Sequence, residues 1–228
     1  MRIIDLTVPL GPGSLSLVPG HPPFQLTPFF DHDGNYRRSS YLQISTHTGT
    51  HVDAPFHFVK DGRRVGELDI RALVGRAVLL DMRPVARPRT GITATHLEQA
   101  ARGKDLRGKI VILHSGWLKE RWGTTQMYSE NPFLLEDAAE WLVAQGVRSV
   151  GLDFAMDDSD PGNLPERDWF PIHRVFLSRG IIHIENLCNL ERIDRDEFFF
   201  VALPVKLQEG EGAPAGAIAI LDLQADMD

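Results

Sequence analysis

The sequence predicts an α/β protein whose central sheet is largely parallel. Short apolar runs rich in Val, Ile and Leu recur from residue 77 onward, and amphipathic segments separate several of them. Runs of this length without polar alternation are typical of strands buried on both faces, and intervening helices favour parallel pairing. The predicted strands are Ala77–Met82, Lys109–His114, Val147–Asp153, Ile181–Glu185, Phe198–Val205 and Ala217–Leu223.

Three helices are predicted between these strands. Thr95 and Glu98 have the spacing of a capping box, in which each side chain satisfies a free backbone N–H, so a helix is expected to begin there and continue through Ala101. Glycines that follow amphipathic segments mark the expected ends of the other two. These run from about Leu135 to Gln145 before Gly146, and from about Ile172 to Arg179 before Gly180.

The N-terminal part has a different pattern. Residues 9–35 contain six prolines and four glycines, so this arm is expected to be irregular and to cover a site or a neighbouring subunit. Tyr41–Thr46 alternates with period two and predicts a strand that leads into the next segment.

Composition limits the classes of partner. The 228 residues are 43% hydrophobic and 24% charged, which is ordinary for one globular domain spanning 1–228. The net charge of −7 disfavours nucleic acid and anionic membranes, so a small-molecule substrate is expected. A cytoplasmic location is expected because Cys188 has no partner for a disulfide, residues 1–7 lack the apolar core of a signal peptide, and no apolar run reaches membrane-spanning length.

Three of the nine histidines and one carboxylate lie within the eleven residues 47–57. Imidazole nitrogens and carboxylate oxygens are ligands of Zn²⁺, Mn²⁺ and Fe²⁺, so a metal site is the first hypothesis. On a straight strand His47 and His51 would stand about 13 Å apart, too far to share an ion. The segment is therefore predicted to curl, which Gly49 and Pro55 permit.

Three predicted strands end in ionisable residues, namely His114, Asp153 and Glu185. Sites in α/β sheets gather at the carboxyl ends of strands, so these residues are candidates. Asp153 and Glu185 are also compatible with solvated turns, and the sequence leaves that alternative open for each.

The segment His47–Phe58 resembles the HxGTHxDxPxHF signature of the metal-dependent hydrolases called putative cyclases, a family that includes bacterial kynurenine formamidase and isatin hydrolase. The likeness continues through Val18–Gly20, Ser115–Trp117, Asn131–Leu134, Ala138–Leu142 and Gly151–Asp153. It therefore covers nearly the whole chain.

This resemblance implies a swivelling β/β/α architecture, in which a parallel sheet, a second mainly antiparallel sheet and flanking helices assemble into homodimers or homotetramers. It implies one or two Zn or Mn ions per chain. The implied metal ligands are His47, His51, Asp53, His173 and Glu185, with Asp53 able to bridge two ions. His57 matches the catalytic acid/base, although without the family His173 would be taken for a surface histidine at a helix start.

Departures from the family pattern concern the substrate. Val18 stands where formamidases carry an aromatic residue, and His21 where an acidic one is common, so both are candidate substrate-binding residues. His114, Ser115 and Met156 also replace usual family residues. The specificity is therefore expected to differ from that of kynurenine formamidase.

The implied reaction is hydrolysis of an amide, formamide, cyclic amide or lactone by a metal-activated water, with His57 moving the proton. Two alternatives remain open at this point. One is a cyclase or dehydratase that uses the same metal site, and the other is a metal-containing binding protein in which His57 only orients a ligand.

Overall fold

The computed structural model describes residues 1–11, 18–160 and 162–222. Within them the strands are β1 (Ile3–Asp5), β2 (Gln25–Phe30), β3 (Ser39–Gln43), β4 (His51–Asp53), β5 (Val74–Asp81), β6 (Gly91–Ile92), β7 (Ile110–His114), β8 (Phe133–Leu134), β9 (Ser149–Leu152), β10 (Ile182–Glu185), β11 (Glu197–Pro204) and β12 (Gly212–Ile220). The α-helices are α1 (His32–Asn35), α2 (Ala94–Ala101), α3 (Trp117–Arg121), α4 (Gln126–Ser129), α5 (Glu136–Gln145) and α6 (Pro171–Leu177).

A mixed sheet organises these elements. Among the described residues it has eight strands in the order β1-β12-β11-β5-β7-β9-β10-β4, and β4 also pairs with β12, which closes a barrel-like ring. The neighbours β5, β7, β9 and β10 are parallel, whereas β11, β12 and β4 pair in antiparallel fashion. The α/β class and the parallel strands are confirmed. The antiparallel strands continue the same sheet instead of forming a separate one, because β4 joins β10 to β12.

The parallel strands are buried on both faces. In β7, Val111 and Leu113 belong to a core that also contains Leu97 of α2 and Phe176 of α6. Ile110 and Ile112 alternate with them and belong to a second core shared with the antiparallel strands. This double burial explains why the strands carry unbroken apolar sequences.

The N-terminal arm contains more structure than expected. β2 and β3 form an antiparallel hairpin with an irregular register between Pro28 and Phe30, so the prediction of an irregular arm is wrong for 25–30. Proline cannot donate a ladder hydrogen bond, which accounts for the irregularity. The strand predicted from Tyr41 to Thr46 is confirmed for 41–43, and residues 12–17 of the arm lie outside the described part of the chain.

Two element starts differ from the predictions. α2 is capped by Thr93, whose hydroxyl accepts from His96 N while the His96 ring accepts from Thr93 N, so the Thr95 and Glu98 box is wrong. β12 begins at Gly212, five residues before Ala217. Residues 212–216 include no β-branched residue and so gave no strand signal, but their small side chains allow close pairing with β4. The predicted end of this strand at residue 223 lies outside the described residues. No helix in the described ranges is long and apolar enough to cross a membrane.

Candidate metal centre

The histidine-rich segment bends as its spacing requires. The chain turns at residues 45–48 and passes through Gly49 with a φ of +68°. A Cβ on Gly49 would lie 2.8 Å from Leu10 Cδ2, so both the left-handed backbone and the lack of space require glycine. β4 follows, and a 3₁₀ turn over Pro55–His57 then returns His57 toward His47.

Strand pairing builds the centre of the site. β4 and β10 are antiparallel, with Asp53 opposite His183 and His51 opposite Glu185. Residues directly opposite each other in such a pair project from the same face of the sheet. The register therefore places two carboxylates and two imidazoles side by side, and all four are buried.

Asp53 lies between two groups of histidines. Its Oδ1 is 2.8 Å from His47 Nδ1 and 3.4 Å from His51 Nε2. Its Oδ2 is 3.4 Å from His173 Nε2 and 3.8 Å from His183 Nδ1. Each carboxylate oxygen thus faces its own pair of imidazoles.

Glu185 also spans both groups. Its Oε2 is 3.8 Å from His51 Nε2, and its Oε1 is 3.5 Å from His173 Nε2. Both carboxylates therefore lie within 3.8 Å of the same two imidazole nitrogens, His51 Nε2 and His173 Nε2, a spacing that suits a shared cation.

Hydrogen bonds orient two of the imidazoles. His51 Nδ1 is 2.8 Å from the Gly49 carbonyl oxygen, and His173 Nδ1 contacts the Asp157 carboxylate. In each case the remaining nitrogen, Nε2, faces Asp53 and Glu185. Metal-binding histidines are commonly fixed in this way by a carbonyl or carboxylate behind the ring.

The donor set fits a divalent metal. Several buried atoms of the cluster lack a hydrogen-bond partner among the described residues, namely both carboxylate oxygens of Asp53, Glu185 Oε1, His47 Nε2 and both ring nitrogens of His183. Leaving buried polar atoms unpaired is costly unless a ligand satisfies them. The donor residues form two groups that share Asp53, and within each group the donor atoms lie within 4.8 Å of one another. The groups are His47–Asp53–His57 and Asp53–His173–His183. Nitrogen and oxygen donors of this kind suit Zn²⁺ or Mn²⁺.

Burial and charge set the protonation of the cluster. Burial acts to raise the pKa of Asp53, but His47 and His51 hold it well below its ordinary value. Burial lowers the pKa of His51 to about 4 and that of His57 to about 3. An ionised Asp53 and neutral imidazoles are the forms that bind metal.

Three groups shift the other way, and one of them is His47, whose pKa burial acts to lower but the Asp53 carboxylate raises. Burial raises the pKa of Glu185 to about 7. Burial acts to lower the pKa of His173, yet its hydrogen bond with Asp157 and the nearby Asp53 carboxylate raise it well above the ordinary value. Glu185 and His173 carry a proton more readily than free side chains do, so binding of a cation between them would release protons.

A cavity of about 380 Å³ opens onto this cluster. Phe58, Trp169 and Phe170 contribute aromatic rings to its wall, and Val18 and His21 also line it. Both candidate substrate-binding residues thus reach the cavity. The His57 ring stacks on His47 at a centroid distance of 4.2 Å and borders the same space.

The structure brings His47, His51, Asp53, His57, His173 and Glu185 together, as the sequence predicted. Their roles remain predictions. Asp153 does not join them, because its carboxylate accepts hydrogen bonds from Ser115 N, Ser115 Oγ and Gly116 N. His114 pairs in register with Asp81 on the neighbouring strand and does not line the cavity.

Sequence reasoning missed three polar residues of the site, His183, Asp157 and Glu211. His183 had a usable signal, since it precedes Glu185 by two residues in a strand and therefore shares its face. Asp157 and Glu211, which contact His173 and His47, lie in loops where only the fold brings them near.

Sequence comparisons relate the chain to a known family. A sequence model of the family described as putative cyclase matches residues 4–158. Kynurenine formamidase of Bacillus cytotoxicus is 31% identical over 220 residues, which cover 94% of this chain and 95% of that protein.

Solved structures show the same fold. An isatin hydrolase bound to the product analogue thioisatinate superposes with a TM-score of 0.83 and 24% identity, covering 96% of this chain and 91% of that chain. A potential metal-dependent hydrolase with cyclase activity superposes with a TM-score of 0.74 and 27% identity, covering 96% of each chain.

Proposed function

The chain belongs to the putative cyclase family, and from that membership we propose that it is a metal-dependent hydrolase of small aromatic amides. The proposed reaction cleaves a carbon–nitrogen bond that is not a peptide bond. The observation that carries this proposal is the buried cluster of nitrogen and oxygen donors around Asp53, which opens directly onto an aromatic-lined cavity. A cluster with unpaired donors and an adjoining apolar pocket is suited to hold both a cation and an organic substrate.

His47, His51 and Asp53 would hold one Zn or Mn ion, and Asp53, His173 and Glu185 would hold a second one. Such an ion supplies a Lewis acid and lowers the pKa of a bound water to near 7. Asp53 faces both positions through separate oxygens, so it links them.

His57 is placed to move the proton. It borders the cavity and is half-buried, and its ring stacks on His47 beside the donor cluster. An amine leaves only when its nitrogen is protonated, so His57 would take a proton from the attacking water and pass it to the leaving nitrogen.

The cavity wall favours an aryl substrate. Phe58, Trp169 and Phe170 offer ring faces and edges, and relatives of this chain are kynurenine formamidases. Aryl formamides and cyclic aryl amides therefore rank first as substrates. Val18 in place of an aromatic residue weakens stacking at one position, so N-formylkynurenine is expected to be accepted but not preferred.

A cyclase reaction is the second candidate. The neighbour with cyclase activity supports it at 27% identity, and activation of a carbonyl for intramolecular attack would use the same groups. Product analysis separates the two, since hydrolysis adds a water to the substrate.

Assembly and location are part of the proposal. Leu26, Phe29, Tyr41 and Leu42 of the β2–β3 hairpin are largely exposed, which favours burial of this arm in a homodimer or homotetramer. Light scattering of the purified protein tests this. We also propose a cytoplasmic location, given the single cysteine.

The deciding experiment is a panel of formanilide, N-formylkynurenine, isatin and an aryl lactone, assayed with and without chelator. Acetanilide serves as the bulkier control for formanilide. The proposal expects turnover of at least one aryl amide that chelator abolishes and added Zn²⁺ or Mn²⁺ restores. Turnover that survives complete metal removal would contradict it.

A further inference from the structure

His183 is a histidine that the proposed mechanism does not use. It lies in the middle of β10, is fully buried, and faces Asp53 across the β4–β10 pair. Its ring packs edge-on against His173 and Phe176, at centroid distances of 5.1 and 5.4 Å. A strand position of this kind is ordinarily occupied by an apolar residue, as its neighbours Ile182 and Ile184 are.

Both ring nitrogens of His183 lack a hydrogen-bond partner within the part of the chain that the structure describes. Its Nδ1 lies 3.8 Å from Asp53 Oδ2, which is beyond hydrogen-bond reach. Burying an imidazole with both nitrogens unpaired destabilises the fold, because each nitrogen loses its hydrogen bond with water. Packing alone gives no compensation for this cost.

The spacing fits coordination better than hydrogen bonding. Ligand atoms bound at about 2.0–2.2 Å around a tetrahedral ion lie roughly 3.3–3.6 Å from one another. His173 Nε2 is 3.4 Å from Asp53 Oδ2 and 3.5 Å from Glu185 Oε1, and His183 Nδ1 approaches this range at 3.8 Å. The two histidines and Asp53 also form a compact donor group.

We propose that His183 is a fourth protein ligand of the metal position formed by Asp53, His173 and Glu185, which we call the inner position. This inference rests on the metal centre of the proposed function. With His183, the inner position would have four protein ligands, the number typical of a tightly held Zn²⁺ ion, whereas His47, His51 and Asp53 supply three to the outer position. The inner position, with the larger set of protein ligands, would then fill with Zn²⁺ first.

The test uses the variant His183→Ile, which restores the apolar residue type of the strand. Zn²⁺ is titrated into the chelator-stripped variant and the unaltered protein in the presence of a competing chelator. Loss of an orienting group outside the metal's own ligands typically costs 10- to 100-fold in affinity, so loss of a ligand should weaken the tighter position by more than about 100-fold. Ile184→Ala is the matched control, because it removes buried volume from the opposite face of the same strand. It should leave both affinities unchanged.

A second measurement uses the unaltered protein, so that the proposal can be tested even if His183→Ile does not fold. With histidines labelled by ¹⁵N, the ring nitrogens of His183 should shift with the first equivalent of Zn²⁺, before those of His47. Unchanged Zn²⁺ affinity in His183→Ile, or His183 resonances that ignore the first equivalent, would overturn the proposal.

The outcome is separable from that of the proposed function. Tight His183-dependent Zn²⁺ binding without any amide turnover would leave this inference standing and remove the hydrolase. Metal-dependent turnover together with a Zn²⁺ affinity independent of His183 would support the hydrolase and overturn the role of His183.

Discussion

Two buried carboxylates at strand ends, Asp53 and Asp153, have opposite surroundings. Asp153 accepts three hydrogen bonds from Ser115 and Gly116, which tie the end of β9 to the end of β7. Asp53 is equally buried, yet both its oxygens lack a hydrogen-bond partner among the described residues and face imidazole nitrogens instead. A satisfied buried carboxylate stabilises the fold, whereas an unsatisfied one points to a ligand that is not part of the chain.

The largest expected effect comes from Asp53→Asn. An amide carries no charge and presents one oxygen where two are needed, so metal content should fall at both positions and kcat/KM by more than about 10³. Elemental analysis and amide hydrolysis measure this. Retention of full metal content would show that Asp53 does not link the two positions.

His57→Ala should separate proton transfer from metal binding. The variant is expected to fold and keep its metal but lose about 10² to 10⁴ in kcat, the usual contribution of a positioned acid/base. His57→Asn should be no better, because an amide does not exchange protons near pH 7. If metal is lost, His57 is a ligand; if activity is unchanged, it has no part in the reaction.

Gly212→Ala tests how closely the sheet fits the metal centre. A Cβ at this position would lie 2.8 Å from His47 Cε1 and 3.0 Å from the Val52 carbonyl oxygen, so His47 must move. We expect about 10- to 100-fold weaker Zn²⁺ binding, similar to the loss of an orienting group.

Gly216→Ala is its matched control, since a Cβ there meets nothing within 4 Å on the same strand. Equal Zn²⁺ affinities for the two variants would mean that His47 tolerates displacement and is not held in place by β12.

Asp153→Asn should show the contrasting behaviour. The amide nitrogen would oppose one of the N–H groups that the carboxylate now satisfies, which costs about 1–3 kcal/mol of unfolding free energy. Metal content should not change. Loss of metal in this variant would break the distinction between the two carboxylates.

The stability deficit of Asp153→Asn should also depend on pH. Burial raises the pKa of Asp153 from 3.8 to about 6 despite its hydrogen bonds, so the folded state holds a proton that the unfolded chain has released. This contribution to stability is present below pH 3.8 and is lost as pH rises through about 6. The stability deficit of Asp153→Asn, followed by denaturant titration, should therefore shrink over that interval. A deficit that grows with pH would mean that the hydrogen bonds outweigh burial.

Trp169→Ala should have the smallest effect. Loss of one aromatic contact is worth about 0.5–1.5 kcal/mol, or roughly a three- to tenfold rise in KM for an aryl substrate. An aliphatic amide measured alongside should show no such rise. Equal changes for both substrates would place Trp169 outside the binding surface.

The sequence alone predicted those features that depend on residues close together in the chain. His47, His51, Asp53 and His57 lie within one curled segment, and residue chemistry alone indicated a metal there. The parallel strands were equally clear because burial on both faces removes polar residues from them. His173 and Glu185, by contrast, entered the ligand set only through resemblance to the family, since nothing near either residue indicates a metal.

Features set by pairing between distant segments were not visible. The meeting of His183 with Asp53 depends on the register between β4 and β10, and the early start of β12 depends on small residues that allow contact with β4. The Thr93 cap was missed because His96, not Glu98, completes it. In each case the deciding contact lies outside the pattern that local propensity describes.

We propose that Asp53 lacks hydrogen-bond partners in the chain because it binds a metal ion, and that hydrolysis requires this ion. The most direct test is a Zn²⁺ or Mn²⁺ titration of chelator-stripped protein, with bound metal and aryl formamide turnover measured on the same samples. The account predicts no turnover without metal, recovery in proportion to metal bound, and neither binding nor recovery for Asp53→Asn. Turnover by metal-free protein, or equal recovery by Asp53→Asn, would contradict it.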